Sequence, residues 1–210
     1  MDLFNDAQKI IKDSISSALP GKRVRELLFQ ADFGHGKIVV IAVGKAALSM
    51  ATAAHDILLS RIHSGLIVTK EGGKVGHVPN MNIIYGGHPY PNEHSVEAVD
   101  AALELVRDLE PEDHVLFLLS GGASALFEKP FIPLEDYNEC MDRLLTGGAS
   151  ITEINTVRKH LSMVKGGRFA ELCAPATVDT IILSDVIGND LTMVGSGPTL
   201  PDKTVGQDAF

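Results

Sequence analysis

Residues 38–47 read Ile38-Val39-Val40-Ile41-Ala42-Val43-Gly44-Lys45-Ala46-Ala47: six apolar residues, mostly β-branched, then Gly-Lys and small helix-forming residues. An alternating pattern would mark a strand with one wet face. An unbroken apolar run marks a strand covered on both faces, the condition of strands in parallel sheets. Three further runs end in the same way: 83–85 in Gly86-Gly87-His88-Pro89, 115–119 in Ser120-Gly121-Gly122-Ala123-Ser124, and 181–183 in Ser184-Asp185. The carboxyl ends of parallel strands share one edge of the sheet, so these polar clusters are predicted to line a common crevice. Their backbone N–H groups and hydroxyls suit an anion.

Outward from these runs, strands and helices alternate. Residues 4–19 are predicted as a helix, with Phe4, Ala7, Ile10, Ile11, Ile15 and Leu19 at helical spacing and Pro20-Gly21 as its stop. A polar, glycine-flanked stretch follows, then the strand 38–43, a helix over 46–59, a short strand over 64–69, a glycine-rich connection and the strand 83–85. Asn92 is a good N-cap for a helix whose Val96, Val99, Leu103 and Val106 form one stripe. Beyond the strand 115–119, helices are predicted over 134–145, 151–164 and 168–173, a last strand over 178–183, and the opening turn of a helix over 202–210. Alternation with short connections predicts an α/β fold, a three-layer α/β/α Rossmann-like domain with a mostly parallel sheet.

At 210 residues and 45% hydrophobic content the chain can bury one full core. Eighteen basic residues against 27 acidic ones, a net charge of −9, argue against sequence-independent nucleic-acid binding, which needs clustered Lys and Arg. Cys140 and Cys173 have no metal-ligand or CxxC spacing, which fits a reducing cytoplasm. No apolar stretch approaches the ~20 residues a bilayer requires, so no membrane partner is expected.

Gly44-Lys45 sits at a strand-to-helix junction, where N–H groups and a lysine favour an anion; the alternative is a solvated lysine in a first helical turn. Ser120-Gly121-Gly122-Ala123-Ser124 removes side chains where ligand oxygens could approach backbone N–H groups, or it is a tight structural turn. GxSxG is absent, which weighs against a serine hydrolase. Asn155, Arg158 and Ser162 share one helical face close to Lys159, Lys165 and Arg168; Arg158 offers a bidentate fork for carboxylate or phosphate. Asp185, Asn189 and Asp190 supply oxygen ligands of the kind Mg²⁺ takes when substrate phosphates complete its shell, with helix capping the other reading of Asp190. His88 is a candidate acid or base, although a histidine in a Gly/Pro turn is more often a structural hydrogen bonder.

Taken in order, Val43-Gly44-Lys45-Ala46-Ala47, Gly87-His88-Pro89, Ser120-Gly121-Gly122-Ala123-Ser124, Asn155-Thr156-Val157-Arg158-Lys159-His160 with Lys165-Gly166-Gly167, and Ser184-Asp185-Val186-Ile187-Gly188-Asn189-Asp190 with Ser196-Gly197-Pro198 resemble the motifs of the type 2 glycerate kinases, over essentially the whole chain. The resemblance implies ATP-dependent phosphorylation of D-glycerate at its 2-hydroxyl to 2-phosphoglycerate, with Mg²⁺, in a cytoplasmic protein of two α/β domains. Members look roughly twice as long as this chain. Residues 1–210 would then form an N-terminal α/β domain, incomplete at its C-terminal end, and a downstream polypeptide would supply the second domain. The same resemblance implies that Lys45 is the phosphate or substrate lysine and that Gly44, Ser120, Gly121, Gly122 and Ser124 form a cradle. Asn155, Arg158 and Lys165 would hold anionic oxygens, and Asp185 and Asp190 would contact metal or activate the hydroxyl. Two alternatives accompany it. Members have also been labelled hydroxypyruvate reductases, but no GxGxxG opens a βαβ unit here with an acidic residue about 20 positions on. The other is a non-catalytic, truncated or split-gene product.

Overall fold

The computed structural model describes residues 2–72, 76–188 and 190–209. Among the described residues five strands form one all-parallel sheet: β1 (Ile38–Val43), β2 (Ile62–Lys70), β3 (Met81–Gly86), β4 (His114–Ser120) and β5 (Thr177–Leu183), in the order β3-β2-β1-β4-β5. Register pairs Val43 with Val68 and Leu119, and Ser120 with Leu183, so the carboxyl ends finish nearly level. The chain leaves β1 in one direction and β4 in the other. The switch point where ligands enter such sheets therefore lies at the ends of β1 and β4.

The apolar runs of β1 and β4 are covered on both faces, while 83–85 and 181–183, on the edge strands, are only partly buried. All six residues of β1 are fully buried. Val39, Ile41 and Val43 face α4 (Glu93–Val106) and α8 (Arg168–Leu172), where Phe117, Phe127 and Phe169 pack with centroids 5.1–5.9 Å apart. Ile38, Val40 and Ala42 face α2 (Gly21–Gln30) and α3 (Ala47–Leu58). Each such side chain contributes about 1.5–3 kcal/mol on leaving water. The alanines of α3, Ala47, Ala51, Ala53 and Ala54, are all buried and let that helix lie close on the sheet.

Helix α2 occupies the stretch expected to be a polar connection. Its only buried residues are Val24 and Leu28, one turn apart, which is too short an apolar signal to stand out among lysines and arginines. Arg25 clamps it to α3 by donating from Nε and Nη2 to Asp56 Oδ2 at 2.9 and 2.6 Å. That pair is about half exposed and worth at most about 1 kcal/mol, so Val24 and Leu28 hold the helix. The helix expected over 151–164 stops earlier: α7 spans Ile151–Leu161, and Ser162 is extended and bridges to Pro130. Residues Gly206–Ala209 make a 3₁₀ turn, and Phe210 lies outside the described residues.

Two surfaces stay bare. Helix α1 (Leu3–Ala18) buries none of its residues, with Phe4 and Ile10 66–70% exposed. Strand β5 is an edge whose Ile181 and Leu183 are only partly covered. No helix among the described residues is long and apolar enough to cross a membrane.

A close backbone approach joins the switch-point strands. Gly44 has φ +118°, and a Cβ there would lie 2.3 Å from Ser120 Oγ and 2.4 Å from the Ser120 carbonyl oxygen. Gly44→Ala should therefore cost about 3 kcal/mol, part backbone strain and part displaced strand, read as a lowered midpoint in urea at unchanged slope.

Candidate active site

Glycines and one serine bring the two loops of the switch point together. Ser120, buried at the end of β4, donates to the Val43 carbonyl at 3.2 Å and accepts from Ala46 N–H at 3.1 Å. Lys45 N–H donates to the Gly121 carbonyl at 2.9 Å. The backbone of one loop is thus tied to the backbone of the other, and the Lys45 side chain is left exposed. A Cβ on Gly122, φ +89°, would sit 3.2 Å from Lys45 Cε and 3.3 Å from His88 Cδ2, so the stem of the lysine and the imidazole flank this glycine. A Cβ on Gly121 would sit 2.1 Å from Asp185 Oδ2, which places the carboxylate after β5 against the same loop.

His88 owes its position to the N-terminus of α4. Asn92 Oδ1 and Ser95 Oγ, the two side chains of the capping box of α4, also accept from Gly87 N–H at 2.9 and 3.0 Å. A Cβ on Gly86 would meet the Leu126 carbonyl at 2.8 Å, so the turn also rests on α5 (Ala123–Leu126). Partial burial, then the charges of Lys45 and Lys70, hold the pKa of the His88 imidazole below its ordinary value, which favours the neutral ring.

Beside this rim lies a cavity of about 250 Å³ lined by Pro89, Tyr90, Ser124, Tyr137, Met141 and Arg158. Its walls are apolar or aromatic apart from one hydroxyl on the loop and one guanidinium from α7. Asn155 Oδ1 accepts from Arg158 Nη1 at 2.8 Å and from Ser196 Oγ at 2.9 Å. A small anion entering here would meet Arg158 on one side and Ser124 on the other, with Lys45, Asp185 and His88 around the neighbouring loop. Among the described residues no group of three or more His, Cys, Asp or Glu could hold a metal ion by itself.

The residues singled out in the sequence divide into those on the rim and those that support it. Gly44, Lys45, Gly121, Gly122, Ser124, Arg158 and Asp185 are brought together. Ser120 is buried with its hydroxyl proton given to Val43, so it ties loops and has no donor left for a ligand. Asn155, 3% exposed, holds Arg158. Lys165 is fully buried under the loop, its ammonium donating to the Ala123 carbonyl at 3.0 Å. Asp190 turns back onto Thr192, accepting from its N–H at 3.0 Å and its hydroxyl at 2.6 Å, and these bonds hold its carboxyl below the usual range. It lines a second cavity with Lys159, Asp202 and Thr204, while Asp185 stays at the glycine loop. Asn189 lies outside the described residues. Tyr90, Tyr137 and Glu128 carried no sequence signal. A fully buried glutamate, Glu128, is discoverable only from the packing around it.

Residues 6–210 match the family model described as "Domain of unknown function (DUF4147)". The D-glycerate 2-kinase of Thermotoga maritima is 46% identical over 206 residues, covering 97% of this chain and 49% of that protein. A putative hydroxypyruvate reductase of Agrobacterium vitis is 43% identical over 176 residues, covering 83% of this chain and 46% of its own length. The crystal structure of a glycerate kinase from Thermotoga maritima superposes with a TM-score of 0.89 at 46% identity, over 97% of this chain and 49% of that one. The chain spans about half the length of the curated relatives it matches.

The rim makes its own electrostatic prediction. An NMR titration of His88 should give a midpoint below 6.5, and in Lys45→Ala the midpoint should move up without reaching 6.5, because burial and Lys70 remain. A His88 midpoint unchanged by Lys45→Ala would separate the two side chains.

Proposed function

We propose, from the premise that the chain belongs to the DUF4147 family, that it is part of a kinase transferring the γ-phosphoryl group of ATP to the 2-hydroxyl of D-glycerate. The observation that carries this is that Lys45 and Asp185 meet the Gly121-Gly122 loop at the β1/β4 switch point, beside a cavity lined by Arg158 and Ser124. Phosphoryl transfer asks mainly for positioning and charge neutralisation, and this rim offers a lysine, a side-chain-free loop and a carboxylate. The relatives named glycerate kinase over this same region support the reading.

Arg158 is suited to the substrate carboxylate, since its fork opens on a cavity of small-molecule size whose remaining walls suit a short carbon chain. Lys45 and the glycine loop are suited to the phosphates. The O2–Pγ bond forms as the bond from Pγ to the bridging oxygen breaks, ADP leaves, and the hydroxyl proton is lost. Neutral His88 and Asp185 are the rim groups able to take that proton. Mg²⁺ is commonly held by one or two carboxylates plus substrate phosphates, which suits the lone Asp185 against Gly121 better than a preformed cage. Bound there it would neutralise charge on the phosphate oxygens; Asp190, engaged with Thr192, is less suited to hold it.

The other half of the relatives' length is the partner this reading calls for. Its suited docking place is the bare edge of β5 and the adjoining groove of about 330 Å³ lined by Leu27, Phe33, Leu116 and Ile181, since parallel sheets are normally covered on both faces. Cytoplasmic location fits two free cysteines, Cys140 and Cys173.

The test is ADP release with Mg-ATP and D-glycerate, from this chain alone and with the complementary half supplied. Lys45→Ala should lower kcat on the order of 10²–10³-fold. Arg158→Lys should raise KM for D-glycerate roughly tenfold, through loss of the bidentate fork, and leave KM for ATP near its starting value. No ADP release in either format, or NADH oxidation with hydroxypyruvate in its place, would overturn the reading.

A further inference from the structure

Glu128 is fully buried on the stretch after α5, and its carboxylate is the junction of a polar network that the reaction itself does not require. Tyr137 Oη, from α6 (Leu134–Thr146), donates to Glu128 Oε2 at 3.0 Å. Ser162 Oγ, from the chain just past α7, donates to Glu128 Oε1. The ammonium of Lys165 and the guanidinium of Arg158 are the two cations whose fields reach it. From this junction one arm runs through Lys165 to the Ala123 carbonyl, directly beneath the glycine loop. The other runs to Tyr137, which lines the cavity together with Arg158.

We propose that Glu128 is a positioning residue that sets the separation between the two anion-holding parts of the site, the glycine loop and Arg158. Three elements that are distant in sequence, the stretch after α5, α6 and the end of α7, meet on this one carboxylate. An apolar residue of similar volume would fill the space without fixing Tyr137 or giving Lys165 a counter-charge. Lys165 would then be a buried cation with one carbonyl as its partner. The loop arm stands on two buried contacts, Ser162 on Glu128 and, three residues on, Lys165 on the Ala123 carbonyl. The assignment of ligands to the two arms rests on the kinase reading.

The test uses the whole chain and three substitutions, Glu128→Gln, Lys165→Met and Tyr137→Phe, of which the last keeps the ring and most of the volume. Two quantities are read: hydrogen exchange at Leu126 and Phe127, whose amides donate to the Gly122 and Ala123 carbonyls, and dissociation constants for D-glycerate and for Mg-ATP. Lys165→Met should speed exchange at these amides roughly tenfold while β1 amides stay protected, and should weaken Mg-ATP alone. Tyr137→Phe should leave exchange unchanged and weaken D-glycerate alone, by roughly fivefold. Glu128→Gln should do both. A merely structural role would loosen β1 together with the loop and shift both ligands alike, and that result overturns the proposal, as does a Glu128→Gln variant indistinguishable from the parent. If the parent binds neither ligand, alone or with the complementary half supplied, but Lys165→Met and Glu128→Gln still speed loop exchange, the loop arm stands and the kinase reading falls.

Discussion

Two strand ends can share a backbone hydrogen-bond network only if something gives up its side chain between them, and in this protein that residue is Gly44. Its missing Cβ lets the Ser120 carbonyl and hydroxyl come within contact distance of β1. Once that approach exists, the rest of the rim follows from connectivity. Ser120 bridges Val43 and Ala46, Lys45 N–H reaches the Gly121 carbonyl, and the Lys45 side chain has nowhere to go but outward, over Gly122. A serine in this place serves the ligand indirectly, by making the loop stiff enough to present what neighbours it.

The site also shows how an acidic chain keeps a few cations where an anion can use them. A free ammonium in a dry interior costs several kcal/mol, so a buried lysine must be matched group for group. Lys165 is matched by the Ala123 carbonyl and by the field of Glu128; burial lowers its pKa to about 8, and burial likewise pushes Glu128 up against the pull of Lys165, Ser162, Tyr137 and Arg158. Lys159 is matched by Asp202 at 3.2 Å. Lys45, by contrast, has no counter-ion within salt-bridge distance among the described residues, and Arg158 is held by the neutral oxygen of Asn155, which orients the fork without spending its charge. Cations committed to the interior and cations left for a ligand are thus distinguished by their partners.

That distinction explains what sequence could and could not reveal. Strands β1 and β4 were readable because burial on both faces leaves an unbroken apolar run, and the shared carboxyl edge of parallel strands pointed the loops to one crevice. Helix α2 was not, because two buried residues in ten make no periodicity. Within the motif 154–168, Asn155, Arg158 and Ser162 are expected on one helical face with Lys165 close to it. Spacing says which residues neighbour each other on a helix, but α7 ends at Leu161, and the extended residues after it swing Lys165 beneath the loop while Arg158 stays in the cavity wall. Direction set by a chain bend has no local signature. Asp190 is a similar case, since capping and metal binding demand the same carboxylate, and only the hydroxyl of Thr192 decides between them in this structure.

Rigidity and openness are distributed unequally over the rim, and the inequality follows from where covering layers exist. Around β1 and β4 both faces are sealed, and the loops they carry are fixed by backbone contacts and by the Glu128 network. Asp185 follows β5, an edge strand with one neighbour and only partly covered faces, and its exposed carboxylate has no ion-pair partner within salt-bridge distance among the described residues. A carboxylate on such a strand has its distance from Gly121 set by a single ladder of hydrogen bonds, whereas Lys45 is fixed from both sides. On the proposed kinase reading, a partner covering β5 would act on the reacting groups through Asp185 before any other residue, even without touching the ligand, because the order of the strands leaves Asp185 beside the bare edge.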